Sequence, residues 1–249
     1  MTPSHVWVLH TAEDAHQSAI WAARRFSELA GQAQDRARRF RVALAGGGTP
    51  KLFYRILAES HRSTIDWRRI DFFWSDERWV PPDDPQSNYR LARENLLEPL
   101  GIAETQIFRV ATESGDADQA AAGYESHIVE QLGEPPAFDL VLLGVGEDGH
   151  TASLFPGSAA LDETARWVVS NWVEKLRAWR ITFTLPLLNQ AKHVFFLVSG
   201  AGKAEVMEAI FQGRSLPAAR LRPVQGQVEW YADAAAAGRL RSGGELANK

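Results

Sequence analysis

Short apolar runs alternate with helix-like stretches from one end of this chain to the other, and few folds accommodate that rhythm. Val6–Leu9, Arg41–Ala45, Ile70–Trp74, Phe138–Leu143 and Val194–Ser199 each read as a strand. Trp167–Ser170 and Ile181–Leu185 read as a candidate hairpin, and Ile107–Val110 and Val228–Tyr231 as two further short strands. Helical patterns fill the intervals over residues 12–34, Pro50–Glu59, Ser87–Leu100, Asp116–Leu132 and Ala201–Gln212, with an Ala-rich helix after Tyr231. Strands joined through helices pair in parallel and need cover on both faces. The expected fold class is therefore α/β, a single three-layer domain over residues 1–249 with a mostly parallel, Rossmann-like sheet and helices on both faces. The proline-dense loop Val80–Pro85 is too short to separate domains, and the tail from Ser242 is expected to fray.

Composition removes several function classes. The 249 residues carry 27 basic and 31 acidic side chains, a net charge of −4 without the basic excess of a nucleic-acid grip. Cysteine is absent, so disulfides, thiolate nucleophiles and cysteine-ligated zinc are excluded. No apolar run approaches the roughly 20 residues of a membrane span. The start, MTPSHVWVLHTAEDAH, lacks the basic and apolar regions of a secretory signal. A cytoplasmic protein with no membrane, nucleic-acid or obligate protein partner is expected.

Chemistry in such folds gathers where strands end. Ala45-Gly46-Gly47-Gly48-Thr49-Pro50 follows one strand. Glycines let the backbone approach a ligand, Thr49 can cap the next helix, and Pro50 suits its first position. Free amides at a helix start form an anion site. A tight strand-to-helix turn would look the same, and this loop alone does not decide between them. It lacks the Gly-Lys-Ser/Thr ending of a P-loop. Ser199-Gly200-Ala201-Gly202-Lys203 repeats the device. Lys203 would sit in a first helical turn, which disfavours a cation unless an anion docks there; a solvated lysine would tolerate that cost. Gly144-Val145-Gly146-Glu147-Asp148-Gly149 matches the dinucleotide fingerprint, but Pro156-Gly157 interrupts the crossover and Asp162 and Glu163 precede the next apolar run. No nicotinamide cofactor is expected, and no metal, because close ligand pairs such as His-Glu-x-x-His are missing.

The segment FDLVLLGVGEDGHTASLFPG, residues 138–157, places an acid and a base two residues apart at a strand end. His5, His10, His16, His61, His127 and His193 lie in polar, helical or strand-opening contexts and read as surface or structural residues. His150 follows a glycine turn and precedes an expected helix start, whose amides would disfavour the imidazolium and leave a general base at neutral pH. Asp148 is near enough to orient it. A capping Asp beside an incidental His explains either residue alone, but less readily both. Ser75-Asp76-Glu77-Arg78 sets both signs of charge at another strand end. It is either a surface ion-pair cluster or a second edge of the site, where Arg78 grips an anion with its planar fork. Arg180, before Ile181, is a further candidate phosphate contact.

Taken together, ALAGGGTPKLFYRIL (43–57), FFWSDERWVPPDDPQSNYRLARENLL (72–97), FDLVLLGVGEDGHTASLFPG (138–157), WRITFTLP (179–186) and VFFLVSGAGKAEVM (194–207) resemble the 6-phosphogluconolactonase family. The segments stand in the family's order and cover nearly the whole chain. The segment VEKLRAWRIT departs from the family's pattern in lacking prolines. The resemblance implies the fold shared with sugar-phosphate isomerases and deaminases, and the second step of the oxidative pentose phosphate pathway. It implies that His150 is the general base with Asp148 beside it. It also implies that Gly47, Gly48, Thr49, Arg180 and Lys203 cradle the phosphate, and that Asp76 and Arg78 contact the substrate. The reaction would be water attack on the carbonyl of 6-phospho-D-glucono-1,5-lactone, without cofactor or metal. A glucosamine-6-phosphate deaminase shares the glycine loop and the Asp-Gly-His turn, but Arg78 and the TASLFP continuation are lactonase-like. A non-catalytic sugar-phosphate sensor is the remaining alternative.

Overall fold

A computed structural model describes residues 7–113 and 115–240. His5, Val6 and the tail from Ser242 lie outside the described residues. Along the chain run β1 (Trp7–Ala12), α1 (Ala15–Asp35), β2 (Phe40–Leu44), α2 (Gly48–Ser60), β3 (Ile70–Trp74) and β4 (Asp76–Arg78). Then follow α3 (Asn88–Ala92), a π-helical turn (Arg93–Leu97), α4 (Glu98–Leu100), α5 (Ala117–Leu132), β5 (Leu140–Leu143) and β6 (Val168–Val173). The chain continues through β7 (Ala178–Phe183), α6 (Leu185–Leu188), β8 (His193–Val198), α7 (Ala204–Phe211) and β9 (Gln227–Asp233). Six strands form a sheet in the order β1-β9-β8-β5-β2-β3, every pair parallel. The remaining three, β4-β7-β6, form a small antiparallel sheet.

The central strands read as unbroken apolar runs because both their faces are covered. On β5, Leu140 and Leu142 enter the core shared with α1 and α2, while Val141 and Leu143 enter the core shared with α5 and α7. Helix α1 starts where the Asp14 carboxylate accepts the Gln17 amide at 2.7 Å, and α5 where Asp116 accepts Gln119 at 2.8 Å. Small residues on the α1 face, Ala19, Ala22, Ala23 and Ala30, bring it close to the sheet around Phe26, itself fully buried.

Two expected elements do not form. Ile107–Val110 makes only one bridge, Ile107 to Phe72, and peels away as the Phe108 ring stacks on Phe73 with centroids 4.7 Å apart. After β9 the Ala-rich segment winds through hydrogen-bonded turns, because Asp233 at its start bonds both the Ala236 amide and the Gly200 amide of a neighbouring loop. The helix expected over Ser87–Leu100 is present from Asn88 but widens into the π turn.

Strand order determines where a ligand can sit. From β2 the chain passes to β3 on one side, while β5 pairs on the other. The carboxyl ends of β2 and β5 therefore flank a topological switch point. Ser75 closes that point. Its amide donates to Leu44 O at 2.9 Å, its hydroxyl lies 3.0 Å from Leu44 O and 3.3 Å from Leu142 O, and its carbonyl accepts Phe183 N at 2.9 Å. One buried serine thus ties β2, β5 and the small sheet together. Among the described residues, no helix is long and apolar enough to cross a membrane.

The opposite end of the sheet is held by Asp139, which is almost fully buried. Its carboxylate accepts the Arg41 amide at 3.0 Å, Arg38 Nη1 at 2.9 Å and Lys192 Nζ at 2.8 Å. Burial alone would raise its proton affinity, but the bonds from Lys192, the Arg41 amide and Arg38 outweigh it and hold the carboxyl below its usual range. The stability it contributes is thus present above the unfolded carboxylate value, near 3.9, and is lost as pH falls through the lower folded value. Asp139→Asn is expected to cost about 1–3 kcal/mol at pH 7. Urea unfolding should show that gap narrowing toward pH 3; a gap that widens on acidification would contradict the assignment.

Candidate active site

Beyond the carboxyl ends of β2, β5 and β8 lies a cleft of about 230 Å³. Three glycine-bearing segments meet at it. Gly46 and Gly47 come from the turn after β2, Gly144 and Gly146 from the turn after β5, and Lys203 from the segment after β8. Asp76 and Arg78 on β4 form another wall, and His150 faces the same space.

The first glycine turn is built for close approach. Gly47 caps α2 at φ 105°, a backbone conformation that glycine adopts without strain. A Cβ at Gly46 would stand 1.8 Å from Asn88 Oδ1. Here the sequence expectation needs correcting, because Gly47, not Thr49, caps the helix. Thr49 and Pro50 are therefore its second and third residues rather than cap and first residue, and Thr49 commits its hydroxyl to Ser199 Oγ at 2.7 Å. That bond joins the two glycine loops. Gly48 and Thr49 adjoin the cleft without lining it. The second loop is also less open than its sequence suggests, since the Gly200 amide already donates to the Asp233 carboxylate at 3.0 Å. Lys203 ends a short 3-10 turn just before α7. It is the cleft's cation on that side, and among the described residues it forms no ion pair.

The turn after β5 does not lead into a helix, contrary to expectation. Thr151 instead bridges Leu154, and the Ser153 amide donates to Thr182 Oγ1 at 3.1 Å, lacing the turn onto the small sheet. His150 is set by its immediate neighbours rather than by helix amides. Its Nδ1 lies 2.5 Å from Asp148 Oδ1, and its ring stacks on Phe155 with centroids 4.1 Å apart. Lys175 Nζ bonds the other Asp148 oxygen. Burial raises the proton affinity of Asp148, but hydrogen bonds from Lys175 and His150 outweigh it and hold the carboxyl at about 2. An ionised carboxylate only accepts, so Nδ1 carries the proton, and in the neutral form of the ring Nε2 is the acceptor. Such a ring can take a proton on Nε2 while Asp148 stabilises the charge on the other side.

Cations gather on the opposite side. Arg78 and Arg180 stand directly across from each other in the β4–β7 register. Like charges so placed repel. Burial and the Arg78 guanidinium together depress Arg180 below its usual value. Arg78 donates to Gln86 O at 2.5 Å and Arg180 to Trp179 O at 3.0 Å, and among the described residues neither forms an ion pair. An anion in the cleft would relieve this repulsion. Arg180 stands behind Arg78 rather than on the cleft wall. Asp76 accepts Ser153 Oγ at 2.7 Å and Asn88 Nδ2 at 3.2 Å, which aims β4 at the cleft. Glu77 points away from it and accepts the Asn88 and Tyr89 amides, each at 2.8 Å, at the start of α3. Among the described residues, no cluster of three or more His, Asp or Glu side chains is placed to hold a metal ion.

The chain and its fold have known counterparts. The sequence profile of the family described as glucosamine-6-phosphate isomerases/6-phosphogluconolactonase matches residues 13–230. The chain belongs to this family. A 6-phosphogluconolactonase from Synechocystis is 42% identical over 207 residues, 80% of this chain and 84% of the relative. One from Nostoc is 40% identical over 210 residues, 81% of this chain and 85% of the relative. The solved structure of a 6-phosphogluconolactonase from Trypanosoma brucei superposes with a TM-score of 0.85 at 30% identity, covering 96% of this chain and all of that one.

Four supporting residues are not evident from sequence. Phe155 stacks on the histidine from within the same turn, and Lys175 reaches Asp148 and the Phe155 ring only because the β6–β7 hairpin folds over that turn. Ser153 and Asn88 hold Asp76 across long sequence separations. The Ser87-Asn88 pair at a helix start carried a weak signal, since Ser87 Oγ accepts the Arg90 amide at 3.1 Å as an N-cap.

Gly146 offers a test of the local geometry. A Cβ there would meet His150 Nδ1 at 2.0 Å and Asp148 Oδ1 at 2.8 Å. Gly146→Ala is expected to fold and to expel the imidazole from Asp148. A crystal structure of the variant that kept the 2.5 Å contact would refute this reading.

Proposed function

We propose that this cleft hydrolyses 6-phospho-D-glucono-1,5-lactone to 6-phospho-D-gluconate, the second step of the oxidative pentose phosphate pathway. One observation carries the proposal: His150, its Nδ1 held by Asp148, opens on the same cleft as the Gly46–Gly47 turn, Arg78 and Lys203. A base and an anion cradle sharing one cleft suit a substrate with an ester-like carbon at one end and a phosphate at the other. The shared name of the cyanobacterial relatives supports the same substrate.

In this reading the phosphate binds at the start of α2, where Gly47, Gly48 and Thr49 offer amides, with Lys203, Arg78 and Arg180 supplying positive charge. Asp76 fixes the wall against which the sugar lies. The lactone carbonyl then faces His150. Nε2 takes a proton from water as the water oxygen attacks C1, and Asp148 stabilises the imidazolium. The C1–ring oxygen bond breaks as the tetrahedral intermediate collapses, and the imidazolium returns the proton to that oxygen. A lactone is electrophilic enough for water to be the nucleophile, so no covalent intermediate is needed. Both sheets contribute walls to one cleft, in keeping with a single functional unit over residues 1–249.

A coupled assay for 6-phosphogluconate on freshly generated lactone, corrected for spontaneous opening, tests the proposal. The wild type should accelerate hydrolysis and release no ammonia from glucosamine 6-phosphate. His150→Gln should lower kcat by about 10²–10⁴-fold while inhibition by 6-phosphogluconate changes little. Unaltered turnover in that variant would remove His150 from the chemistry. Lys203→Ala should chiefly raise KM, by about tenfold or more for a lost charge-assisted bond; an unchanged KM would contradict its phosphate role.

A further inference from the structure

Lys175 belongs to neither the phosphate cradle nor the acid–base pair, yet it touches the latter. It sits in the turn Glu174–Leu176 between β6 and β7. The chain reverses at Arg177, a non-glycine residue at φ 46° and ψ 46°. That reversal turns the hairpin tip over the 148–155 segment, where Nζ bonds Asp148 Oδ2 and lies 4.6 Å from the Phe155 ring centroid. Phe155 stacks on His150, and His150 bonds Asp148 Oδ1. The four side chains form a closed ring. A surface ion pair between a lysine and a carboxylate is worth little by itself. This one is different, because the carboxylate it engages is the histidine's partner and the aromatic ring beneath it is the histidine's stacking face.

We propose that Lys175 is a positioning residue for the acid–base pair: it fixes Asp148 on His150 Nδ1 and shares the negative charge of that carboxylate with the imidazole. The inference rests on the hydrolytic role proposed for His150. Charged groups lie in the turn that holds the imidazole, on the hairpin and along the cleft. Asp148 and Glu147 belong to its own turn, Lys175 comes from the hairpin, Asp76 and Arg78 from β4, and Lys203 from the segment after β8. Of these, only Lys175 shares the Asp148 carboxylate with His150. Removing its charge has two effects of one sign. A cation near the imidazolium disappears, and the whole carboxylate charge becomes available to stabilise it. Both effects raise the affinity of His150 for a proton.

The test compares wild type, Lys175→Met and Lys175→Arg. Lys175 is half exposed, so both variants are expected to fold. The His150 Cε1–H resonance, assigned by its absence from His150→Gln, is titrated by NMR. The Met variant should titrate about half to one pH unit higher than wild type, and the Arg variant close to wild type. The acid limb of kcat/KM for the lactone should move by the same amount, with KM changing less than about twofold. An unmoved midpoint in Lys175→Met, or equal shifts in Met and Arg, would overturn the proposal. The NMR midpoint does not depend on turnover. A wild type that fails to hydrolyse the lactone would therefore sink the functional reading, and the titration would still decide the role of Lys175.

Discussion

Because β2 and β5 run side by side in parallel, their carboxyl ends open onto the same edge, and the site depends on that adjacency. Parallel pairing sends both chains out of the sheet at one place. The turns that follow must diverge without filling the space between them. Gly46 and Gly146 allow this, since a Cβ at either would strike a side chain that belongs to the site. Ser75 secures the arrangement by bonding both strand ends and the small sheet at once. The fold thus brings His150, the Gly46–Gly47 turn, Arg78 and Lys203 together from segments far apart in sequence.

Electrostatics divides the cleft into two ends. At one, Asp148 balances His150 and Lys175, and the charges are satisfied within the protein. At the other, Arg78 on the cleft wall and its cross-strand neighbour Arg180 bring positive charge that, among the described residues, forms no ion pair. Unpaired cations close together cost stability unless an anion joins them. In the proposed reading, that asymmetry orients a ligand with one anionic terminus.

Much of this was legible in the sequence, for identifiable reasons. The strands buried on both faces, such as Leu140–Leu143, show as apolar runs that no surface helix would tolerate. Glycine turns at strand ends carry their own chemical signature, so the Gly46–Gly47 and Gly144–Gly149 turns were visible. What the sequence concealed was tertiary in origin. Thr49 looked like a cap because its bond to Ser199 crosses between loops. The helix expected after His150 gave way to a bridge because Thr182 competes for the Ser153 amide. The Gly200 amide is occupied by an aspartate 33 residues further on. Lys175 offered no local pattern at all, since its role arises only when the hairpin folds back. In each case a side chain or strand distant in sequence overrode a local preference.

The most direct test is the crystal structure of the enzyme with 6-phosphogluconate bound. The account predicts the phosphate against Gly47, Arg78 and Lys203, with C1 about 3–3.5 Å from a water that donates to His150 Nε2. A ligand bound in the reverse sense, its phosphate on His150 and its carboxylate among the arginines, would contradict it.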